Sequence, residues 1–555
     1  MRTYRRFAVL TLGFVWPVLL TACGGGNDSL PPTTQPLPVP ASVSTVTLNQ
    51  TAFTLMMPGS LQLTATTRDA AGATLNGRVM SWSSNATTVA TVSADGLVTA
   101  VAAGTASVTA TSEGRSAAAA ITVTAVVGNV AVSAPANVEI GVAATATAAV
   151  TASGGAIVAA PIVWSSSNVG VLTVSATGVL AGVTAGSATL TATTAGISGT
   201  RTVGVVPRNI NSLVDSVRIA RGLPALVGAI VTRTGGVVAV GVGGTRRATG
   251  GALVTLDDRW HIGSNLKAIT ATLAAIAVRQ GRIGWTTTVA SMFPELGAAV
   301  RAEYRDVTLA ELLAMSGGIR NDPPGSAYSG ATARAQRESA AAWGLAAAPI
   351  GPRGGYHYSN IGYVIAGAMI ERAMNGTYEA LLVSELGAPV GATQIGFGPT
   401  TTAGSSAQPV GHSRSGGQWV ACEACDNPPG LSAAGRSHMS INDWGRIIHE
   451  LLKADAGTST LLTQADARRT FTGVTPVPGG EPYALGWIST TRPWGGRTVT
   501  HSGTNVTNHS VAWVGLDNGV AFIAATNAAD LTAGGTGVAL DGIVGRMLTL
   551  HQTGR

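Results

Sequence analysis

The residues best suited to chemistry are Ser264 and Lys267, in the run Gly263-Ser264-Asn265-Leu266-Lys267. Lys267 and Lys453 are the only lysines among 34 Lys+Arg residues, so composition alone would put arginine at position 267. A lysine three residues after a serine on a helix lies on the same face, one turn away. Arginine keeps its proton, whereas a desolvated lysine can lose it. A serine at a helix N-terminus also meets the positive end of the helix dipole, which favours the alkoxide. The pair therefore suits lysine-assisted attack of Ser264 on a carbonyl carbon.

Two further segments can serve the same reaction. Tyr358 and Asn360 stand in Gly355-Tyr356-His357-Tyr358-Ser359-Asn360-Ile361-Gly362-Tyr363. A phenol held near a lysine ammonium can be kept ionised and act as a general base. The Asn360 amide can position both the lysine and a substrate carbonyl. Near the end comes Val499-Thr500-His501-Ser502-Gly503-Thr504, where a small residue and a glycine on an edge strand would let a substrate backbone lie alongside. Other candidates lack a necessary part. Gly411-His412-Ser413-Arg414-Ser415 has no final glycine for a nucleophile elbow. His449-Glu450-Leu451-Leu452-Lys453 has no second histidine for a zinc-protease helix, and His449 is expected on a helix surface. No phosphate-binding glycine loop occurs, and neither a metal nor a cofactor is called for.

Taken together and in this order, the three segments resemble the penicillin-recognising serine hydrolases, whose pattern is S-x-x-K, Y-x-N, K/H-x-G. Leu312-Leu313-Ala314-Met315-Ser316-Gly317-Gly318 and Leu485-Gly486-Trp487 are also similar to segments of that family. The family includes class C β-lactamases, DD-peptidases, D-aminopeptidases and related esterases. The resemblance implies Ser264 as nucleophile, with Lys267 and Tyr358 sharing general-base duty. It implies that Asn360 orients substrate, that His501 and Gly503 flank it, and that the N–H groups of Ser264 and Thr504 form an oxyanion hole. Most β-lactamases carry lysine where this chain has His501, and a histidine is mostly neutral at pH 7. Peptidase or esterase activity therefore ranks above efficient β-lactamase activity. The expected substrates are D-amino-acid peptides, esters or β-lactams, with peptidoglycan as a candidate. Arg497 is a candidate for the missing positive charge. The rival reading is a non-catalytic cell-surface binding or adhesion protein with a degenerate penicillin-binding domain.

These residues must be positioned by the stretch 209–555. There Ile210–Arg221 reads as a helix ended by Gly222, and residues 226–242 as two strands around Thr234-Gly235-Gly236. Ser264–Gln280 reads as a long helix. Thr308-Leu309-Ala310-Glu311 has capping-box form before a helix ended by Gly317 and Gly318. Ser440–Lys453 is a further helix, with Asp443 three residues after Ser440. Val511–Val514 and Val520–Ala525 are strands around Asp517-Asn518-Gly519, and Val538–His551 is a final helix. An α/β body follows: an antiparallel sheet flanked by helices, with a helical subdomain, of the β-lactamase/transpeptidase-like type that the resemblance implies.

Upstream the texture differs. Trp82-Ser83-Ser84 recurs as Trp164-Ser165-Ser166, and Thr91-Val92-Ser93-Ala94 as Thr173-Val174-Ser175-Ala176, at a constant offset of 82 residues. One offset means two copies of one unit, 42–125 and 126–206. Both alternate apolar and small polar residues between turn signals, which predicts all-β sandwiches. Their pattern is similar to bacterial immunoglobulin-like domains of group 2. Few charges and no cysteine suit them to a spacer role.

At the N-terminus, Arg2, Arg5 and Arg6 precede an apolar run, Phe7–Leu20, that is short for a membrane span. Leu20-Thr21-Ala22-Cys23 resembles the lipobox of bacterial lipoproteins. It implies a signal peptide over 1–22, an acylated Cys23, and export to a lipid-anchored place on a membrane. Gly24 after the cysteine points to the outer membrane, facing the periplasm or the cell surface. Residues 23–41, rich in Pro and Gly, would be an extended tether. Loss of the three arginines lowers the formal charge from +7 to +4. With no basic stripe interleaved with aromatics, a nucleic-acid partner is not expected. Cys422 and Cys425 are expected to close a small disulfide in an oxidising compartment, with free thiols as the alternative.

Overall fold

The computed structural model describes residues 40–153, 155–321 and 323–554. The lipobox, Cys23 and nearly all of the tether lie outside them. The chain forms two compact units, which divide between Ala125 and Val126.

The first unit is a sandwich. One sheet runs in the order Ala52–Met57, Arg115–Ala125, Gly104–Ser112, Ser81–Ser84, and the second in the order Ser60–Gln62, Leu97–Ala100, Ala90–Val92. Gly104–Ser112 alternates buried and half-exposed residues from Ala106 onward. That period of two puts Ala106 and Val108 into a core with Leu55, Leu63, Val98 and Ile121. Trp82 lies over the backbone of Gly96, where a Cβ would stand 2.8 Å from its ring. That contact accounts for the Trp and Gly in the repeated pattern.

The second unit opens with the other copy. Val163–Ser166, Leu172–Val174, Val179–Gly182 and Gly186–Thr194 repeat the earlier strands at the same offset, again as a sandwich.

Beyond it lies a seven-stranded sheet in the order Arg208–Asn209, Gly236–Gly244, Ala225–Thr232, Val520–Thr526, His509–Gly515, Gly496–Thr504, Ile488–Arg492. All neighbours are antiparallel except the first pair. The central strands are buried on both faces, so they read as continuous apolar runs rather than alternating ones. Leu226, Ile230, Phe522 and Ala524 pack with the helices Asn211–Ala220 and Thr536–Thr553. Val227, Val231, Ala521 and Ile523 face the opposite layer, with helices Leu266–Arg279 and Ile441–Asp455. A helical region between residues 289 and 387 closes over the first of these.

The Thr308 capping box is present, but its helix, Leu309–Leu313, ends before Gly317 and Gly318. Met315 supplies the left-handed residue after the helix, with φ 59°. Gly318, φ 69°, serves the next turn, where a Cβ would stand 2.7 Å from the Gly351 carbonyl oxygen. The stretch read as one helix from Ser264 begins as a 3-10 turn, Gly263–Asn265, and becomes α-helical at Leu266. Ser440 caps Ile441–Asp455 by accepting from the Asp443 N–H.

Candidate active site

The 3-10 turn places Ser264 just ahead of the helix Leu266–Arg279 and leaves it partly exposed, while Lys267 is fully buried in the first helical turn. The Lys267 Nζ lies 2.9 Å from Ser264 Oγ, 2.8 Å from Asn360 Oδ1 and 2.7 Å from the Ala434 carbonyl oxygen. Tyr358 donates its hydroxyl to the same Ser264 Oγ at 2.8 Å. Ser359 caps the helix Asn360–Met374 by accepting from the Gly362 N–H, which fixes Asn360 as its first residue. The segment Leu312–Gly318 braces this loop: His357 N–H donates to the Met315 carbonyl, and Ser359 N–H to Met315 Sδ.

No carboxylate pairs with Lys267 among the described residues, and burial pushes its amine well below the usual lysine range. A neutral amine has two N–H donors and one lone pair. Asn360 Oδ1 and the Ala434 carbonyl can only accept, so they take the two donors. In that neutral form the lone pair would be left for the Ser264 hydroxyl proton, whereas the ammonium donates to Ser264 Oγ. Burial also pushes the Tyr358 phenol up, with the Ser264 hydrogen bond opposing it only in part. Burial therefore works against charge on both partners of the pair, that is, against the ammonium and phenolate that the sequence suggests. The reason is desolvation, which penalises the charged form of each group.

The strand Gly496–Thr504 is not the edge strand expected from the sequence: Ile488–Arg492 pairs with it up to Thr500, and its last residues, from His501, run beyond that partner and lie against the turn. A Cβ on Gly503 would stand 2.1 Å from the Ile262 carbonyl oxygen and 2.6 Å from Ser264 N. A Cβ on Gly263, itself at φ +51°, would stand 2.3 Å from Thr504 N. Two glycines thus let the backbone at Ser264 and the backbone at Thr504 approach each other closely. His501 is buried, with Nδ1 2.6 Å from the Ser502 carbonyl oxygen and Nε2 3.3 Å from the Tyr483 hydroxyl. Burial, and then the nearby Lys267, lower its pKa to about 3, so it carries no charge.

Arg497 does not supply a cation here. Its guanidinium is paired with Asp455 and Asp517, four strand residues away from His501. His449 is half-buried on its helix, with Nδ1 2.9 Å from the Thr232 carbonyl oxygen. Cys422 and Cys425 form a disulfide. Sequence reasoning missed the Ala434 carbonyl, because a backbone acceptor leaves no side-chain signature. It also missed Ser510, whose hydroxyl accepts from Asn265 Nδ2 at 2.8 Å and donates to the Ile262 carbonyl at 2.7 Å, tying the turn to the sheet. Gly486, noted only as part of a motif, has a clear role: a Cβ there would stand 2.6 Å from the Lys267 and Ala268 backbone.

The β-lactamase family model matches residues 210–539, and the chain belongs to that family. The model for the bacterial Ig-like domain, group 2, matches residues 42–123. No curated protein sequence matches the chain. Among solved structures it is similar to the octameric penicillin-binding protein homologue from Pyrococcus abyssi, at 20% identity and TM-score 0.52, over 61% of this chain and 76% of that one. It is also similar to the D-amino acid amidase from Ochrobactrum anthropi SV3, at 20% identity and TM-score 0.51, over 62% of this chain and 99% of that one. At this identity the likeness is one of fold.

Proposed function

We propose that the protein is an acyl-serine hydrolase that opens ester or amide bonds through an acyl-enzyme on Ser264. The observation that carries this reading is the Ser264 hydroxyl held between a Tyr358 hydroxyl and a buried Lys267 amine, at 2.8 and 2.9 Å. Neutral Lys267 takes the Ser264 proton as Oγ attacks the carbonyl carbon. The oxygen of the tetrahedral intermediate is received by the Ser264 and Thr504 amides, each such donor being worth about 10²–10³ in rate. Tyr358, bonded to the same Oγ, donates to the departing atom, and the new Lys267 ammonium stabilises the phenolate left behind. Water then attacks the acyl-enzyme by the reverse route.

Neutral His501 favours substrates that need no cation for a carboxylate. Esters and D-amino-acid amides or peptides therefore rank above β-lactams. The D-amino acid amidase likeness agrees with this choice but does not carry it. A p-nitrophenyl ester, a D-amino-acid amide, a D-Ala-D-Ala peptide and a chromogenic cephalosporin, tested side by side, check the reading. Turnover of the first two with Ser264→Ala inactive is expected; unchanged turnover by Ser264→Ala would refute it. The sandwiches act as spacers, and Cys23 carries the lipid that holds the chain on a membrane. Cys23→Ser should move the protein from the membrane fraction to the soluble one.

A further inference from the structure

The turn that carries Ser264 is not held by the helix alone. The Gly263 N–H donates to His261 Nδ1 at 3.1 Å, so the ring proton sits on Nε2, 3.0 Å from Asp426 Oδ1. The His261 side chain is fully buried and that of Asp426 is 3% exposed. The same Asp426 oxygen accepts from Asn505 Nδ2 at 3.0 Å. Asn505 directly follows Thr504, and its Oδ1 accepts from the Asn508 N–H at 2.9 Å, which tightens the turn after the strand Gly496–Thr504. The next residue, Asn427, donates from Nδ2 to the Gly435 carbonyl at 2.7 Å. Gly435 directly follows Ala434, whose carbonyl receives Lys267.

Three parts of the site therefore meet on two adjacent side chains: the Ser264 turn, the Thr504 end of the strand, and the loop that receives Lys267. The Cys422–Cys425 disulfide closes immediately before them. A short covalent ring restricts the conformations open to the loop that follows. Burial alone would raise the Asp426 carboxyl, but His261, Asn505 and the Asn427 N–H hold it below the usual carboxylate range, so it is an anion and a strong acceptor. None of these side chains touches the Ser264 hydroxyl.

We propose that Asp426 and Asn427, fastened by the Cys422–Cys425 disulfide, are positioning residues that set the spacing of both oxyanion-hole amides and of the Lys267 clamp. This rests on the reading of Ser264 as nucleophile.

The test uses the full chain and a p-nitrophenyl ester, with Asp426→Asn and the double variant Cys422→Ser/Cys425→Ser beside wild type. Asp426→Asn keeps the shape of the side chain and removes its charge. It is expected to lower kcat roughly 10- to 100-fold, the effect of displacing reacting groups by about 1 Å, while KM stays within about twofold. The double variant leaves every polar contact of Asp426 in place and should lower kcat by a smaller factor, again without a change in KM. A purely structural role would lower the unfolding midpoint and leave kcat of the folded fraction alone. If Asp426→Asn does not fold, the double variant decides by the same split between kcat and KM. Active wild type with kcat unchanged in the folded variants overturns the positioning role alone. Wild type that neither turns over the ester nor labels with a fluorophosphonate at Ser264 overturns the reading of Ser264, and this inference with it.

Discussion

Gly503→Ala is a small change with a large expected effect. The added Cβ would stand 2.1 Å from the Ile262 carbonyl oxygen, 2.6 Å from Ser264 N and 2.8 Å from Asn265 N. Real Cβ contacts do not fall below 3.0 Å. The strand Gly496–Thr504 and the Ser264 turn must therefore move apart by roughly 1 Å, a displacement that can cost about 10²-fold in rate. The same movement spreads the Ser264 and Thr504 amides, and oxyanion donors act only within about 2.7–3.1 Å of the developing charge. Losing one of them corresponds to about 2.7–4 kcal/mol of barrier. Overpacking costs about 1–3 kcal/mol of stability, against a typical total of about 5–15 kcal/mol, so the variant should fold. The assay is kcat and KM for a p-nitrophenyl ester, with urea unfolding in parallel. A kcat lower by about 10²-fold with little change in KM is expected. Gly545→Ala, on the C-terminal helix with no atom within 4 Å of the new Cβ, is the control. It should keep full activity and gain up to about 1 kcal/mol of helix propensity. Folded Gly503→Ala with wild-type kcat would refute the claim that the two amides converge to do work.

Two other outcomes follow from the electrostatics. The amine of Lys267 is held below its unfolded value, so between the two values the unfolded chain binds more protons and stability rises with pH. Lys267→Met should abolish ester turnover yet raise the unfolding midpoint. The gain should be larger near neutral pH and vanish toward the ordinary lysine pKa of about 10.4; a gain independent of pH would contradict a neutral Lys267. His501, with its pKa lowered to about 3, should contribute no limb to the pH–rate profile in the neutral range. His501→Lys should raise the ratio of kcat/KM for a carboxylate-bearing ester over a neutral one by about tenfold, which is about 1.4 kcal/mol. An unchanged ratio would show that position 501 does not face the substrate's charge.

Ser264, Lys267, Tyr358 and Asn360 were legible in the sequence because each carries a side-chain chemistry that few residue types can supply, at spacings local enough to survive as motifs. A lysine three residues after a serine, one of only two in an arginine-rich chain, marks itself. The repeat of 82 residues likewise disclosed two sandwiches, since identical strand spacing needs no knowledge of contacts. What the sequence left open was set by burial and by groups brought from far along the chain. The protonation of the Lys267–Tyr358 pair depends on how little solvent reaches them, which no local pattern encodes. The Ala434 carbonyl, 167 residues from Lys267, and the link from Asp426 to His261 and Asn505 exist only because the sheet edge, the helical turn and the disulfide loop meet in space. Arg497 was a plausible cation in the sequence and is excluded by the same logic: its charge is taken by Asp455 and Asp517 at the far end of the strand. Local chemistry named the residues that meet at the candidate site, whereas tertiary packing decided their desolvation and spacing, because both depend on contacts between distant segments.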